Sequence, residues 1–231
     1  MPIKIASYNV HKCVGTDRLF DPTRILRVLQ ELKADIIALQ EADRRFGDRA
    51  GLLDLAELKQ RTGLVPVPLS GAYKNHGWHG NVLLVREAII DRAHQISLPG
   101  VEPRGALVVD LSLAGSAFRI VATHLGLLRR SRAGQIQTIL EAIRFAEGRS
   151  TILMGDLNEW RMGKNSALLA LEPIFGALTQ FVPSFPSRKP TFALDRILAT
   201  PHHLLSQFEV HDSTLARVAS DHLPVTAHFA S

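Results

Sequence analysis

The sequence predicts an α/β fold in which two sheets are covered by helices. A strand, helix, strand order opens the chain, consecutive strand patterns fill its middle, and amphipathic helix patterns recur between strands. The 231 residues suffice for a large core, and no linker-like stretch divides them. We therefore expect a single domain over residues 1–231.

Composition and charge limit the class of protein. Apolar residues make up 46% and charged residues 21% of the chain, which excludes a disordered or fibrous protein. The N-terminus has no signal-peptide core or membrane span, and the single cysteine, Cys13, cannot form an internal disulfide, so we expect a cytoplasmic protein. The net charge of +5 favours an anionic partner such as nucleic acid, phospholipid headgroups or a phosphorylated metabolite.

The first elements form a strand, helix, strand unit. Residues 3–10 alternate apolar and polar side chains, which predicts a strand that ends in a polar cluster at 9–12. Asp21 and Pro22 are typical of a helix N-terminus, and apolar residues follow at helical spacing up to Leu32. Residues 35–39, which are apolar after Asp35, predict a buried strand whose carboxyl end carries Gln40 and Glu41.

The later elements alternate in the same way. One helix is predicted over 52–62 with Gly63 as its stop, and a second over 130–147 with Gly148 as its stop. The proline-rich segment 183–190 is interpreted as an ordered loop. Strands are predicted at 81–86, 105–113, 117–123, 151–154, 194–199 and 225–229.

Polar residues recur at the ends of the predicted strands. These residues are Asn9, Glu41, Asp156, Asn158, Asp195, Asp221 and His222. Strand ends gathered by a sheet bring such residues into one cleft. Carboxylates and amides without a cysteine cluster suit Mg²⁺, with Glu41 as the leading ligand and Asn9 and Asp221 next. Zinc fits less well, because the histidine pairs 76/79 and 202/203 lack a thiolate or a suitable spacing.

Individual motifs leave alternatives open. Gly155 after an apolar strand permits a sharp turn that places Asp156 and Asn158 on the same side. Asp221 with His222 fits either a catalytic dyad or a turn with a capping aspartate. The arginine-rich run 128–132 fits either a solvated helix start or a phosphate-contacting patch.

Six ordered motifs together resemble those of one family. The motifs are Ser7-Tyr8-Asn9-Val10-His11, Leu39-Gln40-Glu41, Thr123-His124, Gly155-Asp156-Leu157-Asn158, Leu194-Asp195-Arg196-Ile197 and Ser220-Asp221-His222-Leu223-Pro224. They resemble the endonuclease/exonuclease/phosphatase superfamily, which includes deoxyribonuclease I, abasic-site endonucleases, bacterial sphingomyelinases and inositol-polyphosphate 5-phosphatases. The resemblance covers residues 7–224.

The resemblance implies a fold and an activity. The fold would be a four-layer α/β/β/α sandwich with two central mixed sheets. The activity would be hydrolysis of a phosphodiester or related phosphoester by attack of water, assisted by Mg²⁺, for which Mn²⁺ could substitute.

The resemblance also implies roles for individual residues. The metal ligands would be Asn9, Glu41 and Asp221, and the catalytic residues His124, Asp156, Asn158, Asp195 and His222. Asp156 would orient or deprotonate the attacking water, while Asn158 would hold a phosphate oxygen. Asp195 would fix the tautomer of His222, which would stabilise the developing charge or protonate the leaving group. Asn81 and Arg104 match phosphate-binding positions, although Arg104 fits a plain surface arginine almost as well.

The sequence leaves the substrate open. Nuclease-type activity is our first expectation, and a phospholipid headgroup or small-molecule phosphoester is the alternative. The aromatic fraction of 6% disfavours a dedicated role in repair of abasic DNA. A catalytically inactive binding module is a third hypothesis, which the complete set of site residues disfavours. No protein partner can be inferred.

Overall fold

The fold is described by a computed structural model, which covers residues 3–44, 47–70, 76–144, 149–178 and 182–229. Two sheets pack face to face and share one apolar core. A second apolar cluster lies between the first sheet and its helices, and a third lies between the second sheet and its helices. The order of layers is therefore helices, sheet, sheet, helices, which confirms the predicted α/β sandwich.

The first sheet has six strands in the order β10-β11-β1-β2-β4-β3. Its strands are β1 (Ile3–Asn9), β2 (Ile36–Gln40), β3 (Val65–Pro66), β4 (Val82–Val85), β10 (Leu205–Val210) and β11 (Val225–Phe229). Strands β1 and β2 pair in parallel, while the other neighbours are antiparallel, so the sheet is mixed.

The second sheet has five strands in the order β5-β6-β7-β8-β9. Its strands are β5 (Ile89–Leu98), β6 (Arg104–Leu113), β7 (Ser116–His124), β8 (Ser150–Asp156) and β9 (Asp195–Thr200). Strands β7 and β8 are its parallel pair. Each sheet therefore contains one parallel pair, and the polar residues that follow these strands lie at a common edge.

Helices cover the outer faces of the sheets. The described α-helices are α1 (Pro22–Leu32), α2 (Leu55–Thr62), α3 (Arg129–Ile143), α4 (Glu172–Phe175) and α5 (Thr214–Ala219). Helices α1, α2 and α5 pack on the first sheet, and α3 and α4 pack on the second. Among these helices none combines the length and the apolar character needed to cross a bilayer.

Local physics sets the helix boundaries. Helix α1 begins at Pro22 as predicted, because the Asp21 carboxylate accepts a hydrogen bond from the backbone N of Arg24. Helix α2 begins three residues later than predicted, because Asp54 caps it by accepting from two backbone N–H groups. The predicted end of α3 near Gly148 lies outside the described residues.

Three strands were not predicted from the sequence, namely the two-residue strand β3 and the longer strands β5 and β10. Strand β5 alternates exposed and half-buried residues and forms an edge of the second sheet. Strand β10 is an edge of the first sheet and is similarly exposed. Because edge strands bury little apolar surface, their hydrophobic pattern is weak.

Candidate active site

A cleft lies at the edge where both parallel strand pairs end. The register pairs Asn9 with Gln40 in one sheet and His124 with Asp156 in the other. The cleft is lined by Asn9, Glu41, Glu102, Arg104, His124, Leu127, Asp156, Asn158, Trp160, Phe185, Phe192, Leu194, Asp221 and His222. Eight of the ten predicted site residues therefore face one cleft, while Asp195 and Asn81 lie behind its wall.

His222 is held by two carboxylates. Its Nδ1 is 2.8 Å from Asp195 Oδ2, and its Nε2 is 3.7 Å from Asp156 Oδ2. Asp195 also accepts a hydrogen bond from the Ser184 hydroxyl, which fixes the carboxylate. Burial alone would lower the pKa of His222, but the charges of Asp195 and Asp156 outweigh it and raise the pKa to about 10. At neutral pH this imidazole is therefore protonated.

His124 has the opposite protonation state. Burial lowers its pKa to about 3, and Arg104 adds to the effect while Asp156 opposes it. Arg104 Nη1 donates to His124 Nδ1 at 2.7 Å. The other ring nitrogen, Nε2, is 3.4 Å from Asp156 Oδ2.

Asp156 lies between the two imidazoles. Its Oδ2 accepts a hydrogen bond from Asn9 Nδ2 at 2.9 Å, and its Oδ1 accepts from the backbone N of Asn158 at 2.9 Å. Gly155 makes this position possible, because its φ is +151° and an added Cβ would lie 1.8 Å from the Thr123 carbonyl oxygen. The carboxylate is thus fixed at the end of β8.

Asn158 links the loop after β8 to the loop after β7. Its backbone is left-handed, with φ of 51°, and its Nδ2 donates to the Leu125 carbonyl at 2.9 Å. The same Nδ2 lies 3.0 Å from His124 Nε2. This arrangement places the amide at the floor of the cleft beside His124.

Three further oxygen donors open into the cleft. Glu41 forms an ion pair with the Lys12 ammonium. Burial would raise the pKa of the Glu41 carboxyl, but Lys12 outweighs it and the pKa is lowered, so the group is an anion. Asn9 Oδ1 accepts from the backbone N of His11 at 3.0 Å, and Asp221 is half-exposed nearby. This all-oxygen set fits a hard divalent cation.

A second group could also bind a metal. Asp156, Asp195 and His222 are buried and offer ligand atoms that all lie within 4.8 Å of one another. In this group, Asp195 Oδ2 is already engaged by His222 Nδ1 at 2.8 Å and by the Ser184 hydroxyl. The set formed by Asn9, Glu41 and Asp221 is therefore the better fit.

The two predicted phosphate-binding residues differ in position. Arg104 lies in the cleft, where it donates to Glu102 Oε2 as well as to His124. Asn81 is fully buried, and its Nδ2 donates to the Gly105 carbonyl at 3.0 Å. In this structure Asn81 supports the start of β6 from behind, and a direct phosphate contact there stays a prediction.

Sequence reasoning missed a buried ion pair beside the cleft. The sequence placed Arg132 in a run that was either solvated or phosphate-contacting, but its side chain is fully buried and donates to Glu159 Oε2 at 3.0 Å. It also donates to the carbonyls of Gly126 and Leu127. No sequence signal marks this contact, because its partners lie on separate loops.

Comparison with known proteins agrees with the geometry. Residues 6–222 match the Endonuclease/Exonuclease/phosphatase family. The uncharacterized protein YbhP of Escherichia coli is 30% identical over 249 aligned positions, covering 97% of this chain and 94% of that protein. A functionally unknown conserved protein from Enterococcus faecalis superposes with a TM-score of 0.74 at 20% identity, over 99% of this chain and 100% of that one. The mannosyl-6-phosphatase of Bacteroides thetaiotaomicron gives a TM-score of 0.71 at 17% identity, also over 99% and 100%.

Proposed function

Since the chain belongs to the endonuclease/exonuclease/phosphatase family, we propose that it hydrolyses a phosphodiester by attack of water, assisted by Mg²⁺ or by Mn²⁺ in its place. One observation carries this proposal. A protonated His222 and a neutral His124 flank the single carboxylate of Asp156, next to the open oxygen donors Glu41 and Asp221. The protonated His222 and the carboxylate of Asp156 provide an acid and a base in one cleft.

The side chains of the cleft have distinct roles in this proposal. Asp156 accepts a hydrogen bond from the attacking water and orients it towards phosphorus. His222 donates the proton that it holds on Nε2 to the developing charge or the leaving oxygen, and Asp195 keeps the ring in position through Nδ1. Proton transfer of this kind contributes roughly 10²–10⁴-fold to the rate.

Other groups bind the phosphate. Arg104 presents N–H donors to nonbridging oxygens beside His124, and Asn158 presents its amide from the adjacent loop. A divalent cation bound by Asn9, Glu41 and Asp221 would supply Lewis-acid stabilisation of the phosphoryl charge. These groups are fixed before substrate binds, so little reorganisation is needed.

A substrate panel tests this proposal. Plasmid DNA, RNA, bis-p-nitrophenyl phosphate, phospholipids and inositol phosphates are assayed with Mg²⁺ and with excess chelator. We expect turnover of at least one phosphodiester with Mg²⁺, none with chelator, and a loss of orders of magnitude in His222→Ala. His202→Ala is the matched control, because that histidine is exposed outside the cleft. Full activity in chelator would contradict the mechanism.

Two substrate classes fit the reaction. The net charge of +5 agrees with nuclease-type activity. The apolar wall of the cleft, which contains Leu127, Trp160 and Phe192, favours the phosphodiester of a lipid headgroup or another phosphoester with an apolar portion. Absence of turnover on the whole panel, together with no Mg²⁺ binding in calorimetry, would favour an inactive binding module instead.

A further inference from the structure

Exposed apolar side chains are concentrated beside the cleft. Among the described residues thirteen large apolar side chains are exposed, and six of them lie on four loops at the cleft edge. The six, which we call the apolar ledge, are Val101, Leu127, Leu128, Trp160, Met162 and Phe192. Exposure reaches 82% at Val101 and 63% at Leu127, so these two side chains bury little of their apolar surface against the described part of the chain.

Direct contacts join the four loops, which cover residues 99–103, 125–131 with the first turn of α3, 159–166 and 183–192. Glu102 accepts a hydrogen bond from the backbone N of Leu127 at 2.9 Å. Arg129 Nε donates to the Asn165 carbonyl at 3.1 Å, and the rings of Trp160 and Phe192 are 6.5 Å apart. The ledge is therefore one continuous surface.

The same four loops carry an excess of positive charge. Their basic residues are Arg129, Arg130, Arg161, Lys164, Arg188 and Lys189. Their two acids are both paired, Glu102 with Arg104 and Glu159 with the buried Arg132. The ledge thus combines protruding apolar tips with exposed cations and no free carboxylate.

We propose that the apolar ledge docks this protein on a membrane surface that contains anionic phospholipids. Apolar tips that enter the headgroup region and basic side chains that contact lipid phosphates are the two components of interfacial binding. Docking there places the open cleft against the headgroups. The proposal deepens the proposed function by naming a lipid interface as the location of the substrate.

The composition of the ledge favours lipid over nucleic acid. Aromatic rings bind single-stranded nucleic acid by stacking, whereas Val101, Leu128 and Met162 are aliphatic and offer no stacking face. One face of the Trp160 ring is already covered by the Arg161 guanidinium, 4.5 Å from the ring centroid. Aliphatic and tryptophan side chains beside arginine and lysine are typical of interfacial surfaces.

Vesicle sedimentation in chelator tests docking separately from catalysis. Full-length protein is mixed with vesicles of phosphatidylcholine alone, or of phosphatidylcholine with phosphatidylglycerol. We expect binding to the vesicles that contain phosphatidylglycerol, little binding to phosphatidylcholine alone, and weaker binding at high salt. Equal binding to both vesicle types, or to neither, would overturn the proposal.

Two variants distinguish the ledge from the rest of the surface. The first variant removes three apolar tips and is Val101→Ser/Leu128→Ser/Met162→Ser. The second removes two positive charges and is Arg130→Gln/Lys164→Gln. Each variant should weaken vesicle binding about tenfold. None of these five side chains lines the cleft.

The matched control is Ile89→Ser/Arg92→Gln, where the side chains are exposed but lie near the opposite end of β6 from Arg104. The control should bind vesicles as the wild type does, and all variants should unfold at the wild-type temperature. Equal vesicle binding by the control and the ledge variants would overturn the proposal. The same conclusion would follow if the ledge variants lost only their binding to plasmid DNA and still bound vesicles as the wild type does. Turnover of soluble bis-p-nitrophenyl phosphate is read separately, so failure of the proposed function is distinguishable from failure of docking.

Discussion

At the scale of single residues, one carboxylate separates two histidines of opposite protonation. His222 faces Asp195 on one side and Asp156 on the other, while His124 receives a hydrogen bond from the Arg104 guanidinium. The difference between the pKa values of the two histidines arises from their charged neighbours and not from burial, because both rings are almost completely buried. Charged neighbours therefore decide which imidazole can act as the acid.

Asp195→Asn tests how far His222 depends on its carboxylate. The amide keeps the size of the side chain but removes the negative charge that raises the pKa of His222. We expect kcat to fall by roughly 10²–10⁴-fold. Steady-state kinetics on bis-p-nitrophenyl phosphate measures the fall, with circular dichroism as the check on folding. An unchanged kcat in a folded variant would remove Asp195 from the proposed catalytic set.

The pH dependence of stability tests the charge on His222. Its folded-state pKa of about 10 lies above the ordinary value of 6.5. Folding therefore favours the protonated ring, so this stabilisation is complete below pH 6.5 and is lost as the pH rises towards 10. In metal-free protein, the wild type should therefore have a larger free energy of unfolding than His222→Gln at pH 6.5. This difference should shrink as the pH rises towards 10. Urea unfolding at several pH values measures it, and an advantage that grows with pH would contradict the assignment.

At the scale of elements, a buried ion pair joins the loop that follows His124 to the loop that carries Asn158. Arg132 on α3 contacts two carbonyls of the loop after β7 and the carboxylate of Glu159 after β8. Glu159 also accepts from the backbone N of Ala167 at 2.9 Å. Both side chains are fully buried, so each charge depends on the other.

Glu159→Ala should destabilise the protein strongly. The substitution leaves the guanidinium of Arg132 buried without a counter-charge, and loss of one partner of such a pair costs about 3–5 kcal/mol. Glu57→Ala is the control, because its ion pair with Arg61 on α2 is partly exposed and contributes about 0.3–0.5 kcal/mol. Urea unfolding of both variants gives the comparison. Equal losses of stability would mean that the buried pair does not hold the loops.

At the scale of the whole molecule, the sequence predicts the sheet core and the cleft better than it predicts the surface. Buried strands such as β2 and β8 have continuous apolar runs, and the polar residues that follow them mark the cleft edge. Strand β3 was missed because it has only two residues, and β5 and β10 because their exposed edges carry little apolar pattern. The apolar ledge and the pair of Arg132 with Glu159 depend on contacts between distant loops, which no local pattern indicates.

The central claim is that a divalent cation held at Glu41 assists hydrolysis in this cleft. Its most direct test is the rate of bis-p-nitrophenyl phosphate hydrolysis as a function of Mg²⁺ concentration, for the wild type and for Glu41→Gln. We predict a saturable dependence on Mg²⁺ in the wild type and, in the variant, a requirement for at least about tenfold more Mg²⁺. Hydrolysis that does not depend on Mg²⁺, or identical titration curves for the two proteins, would contradict the claim.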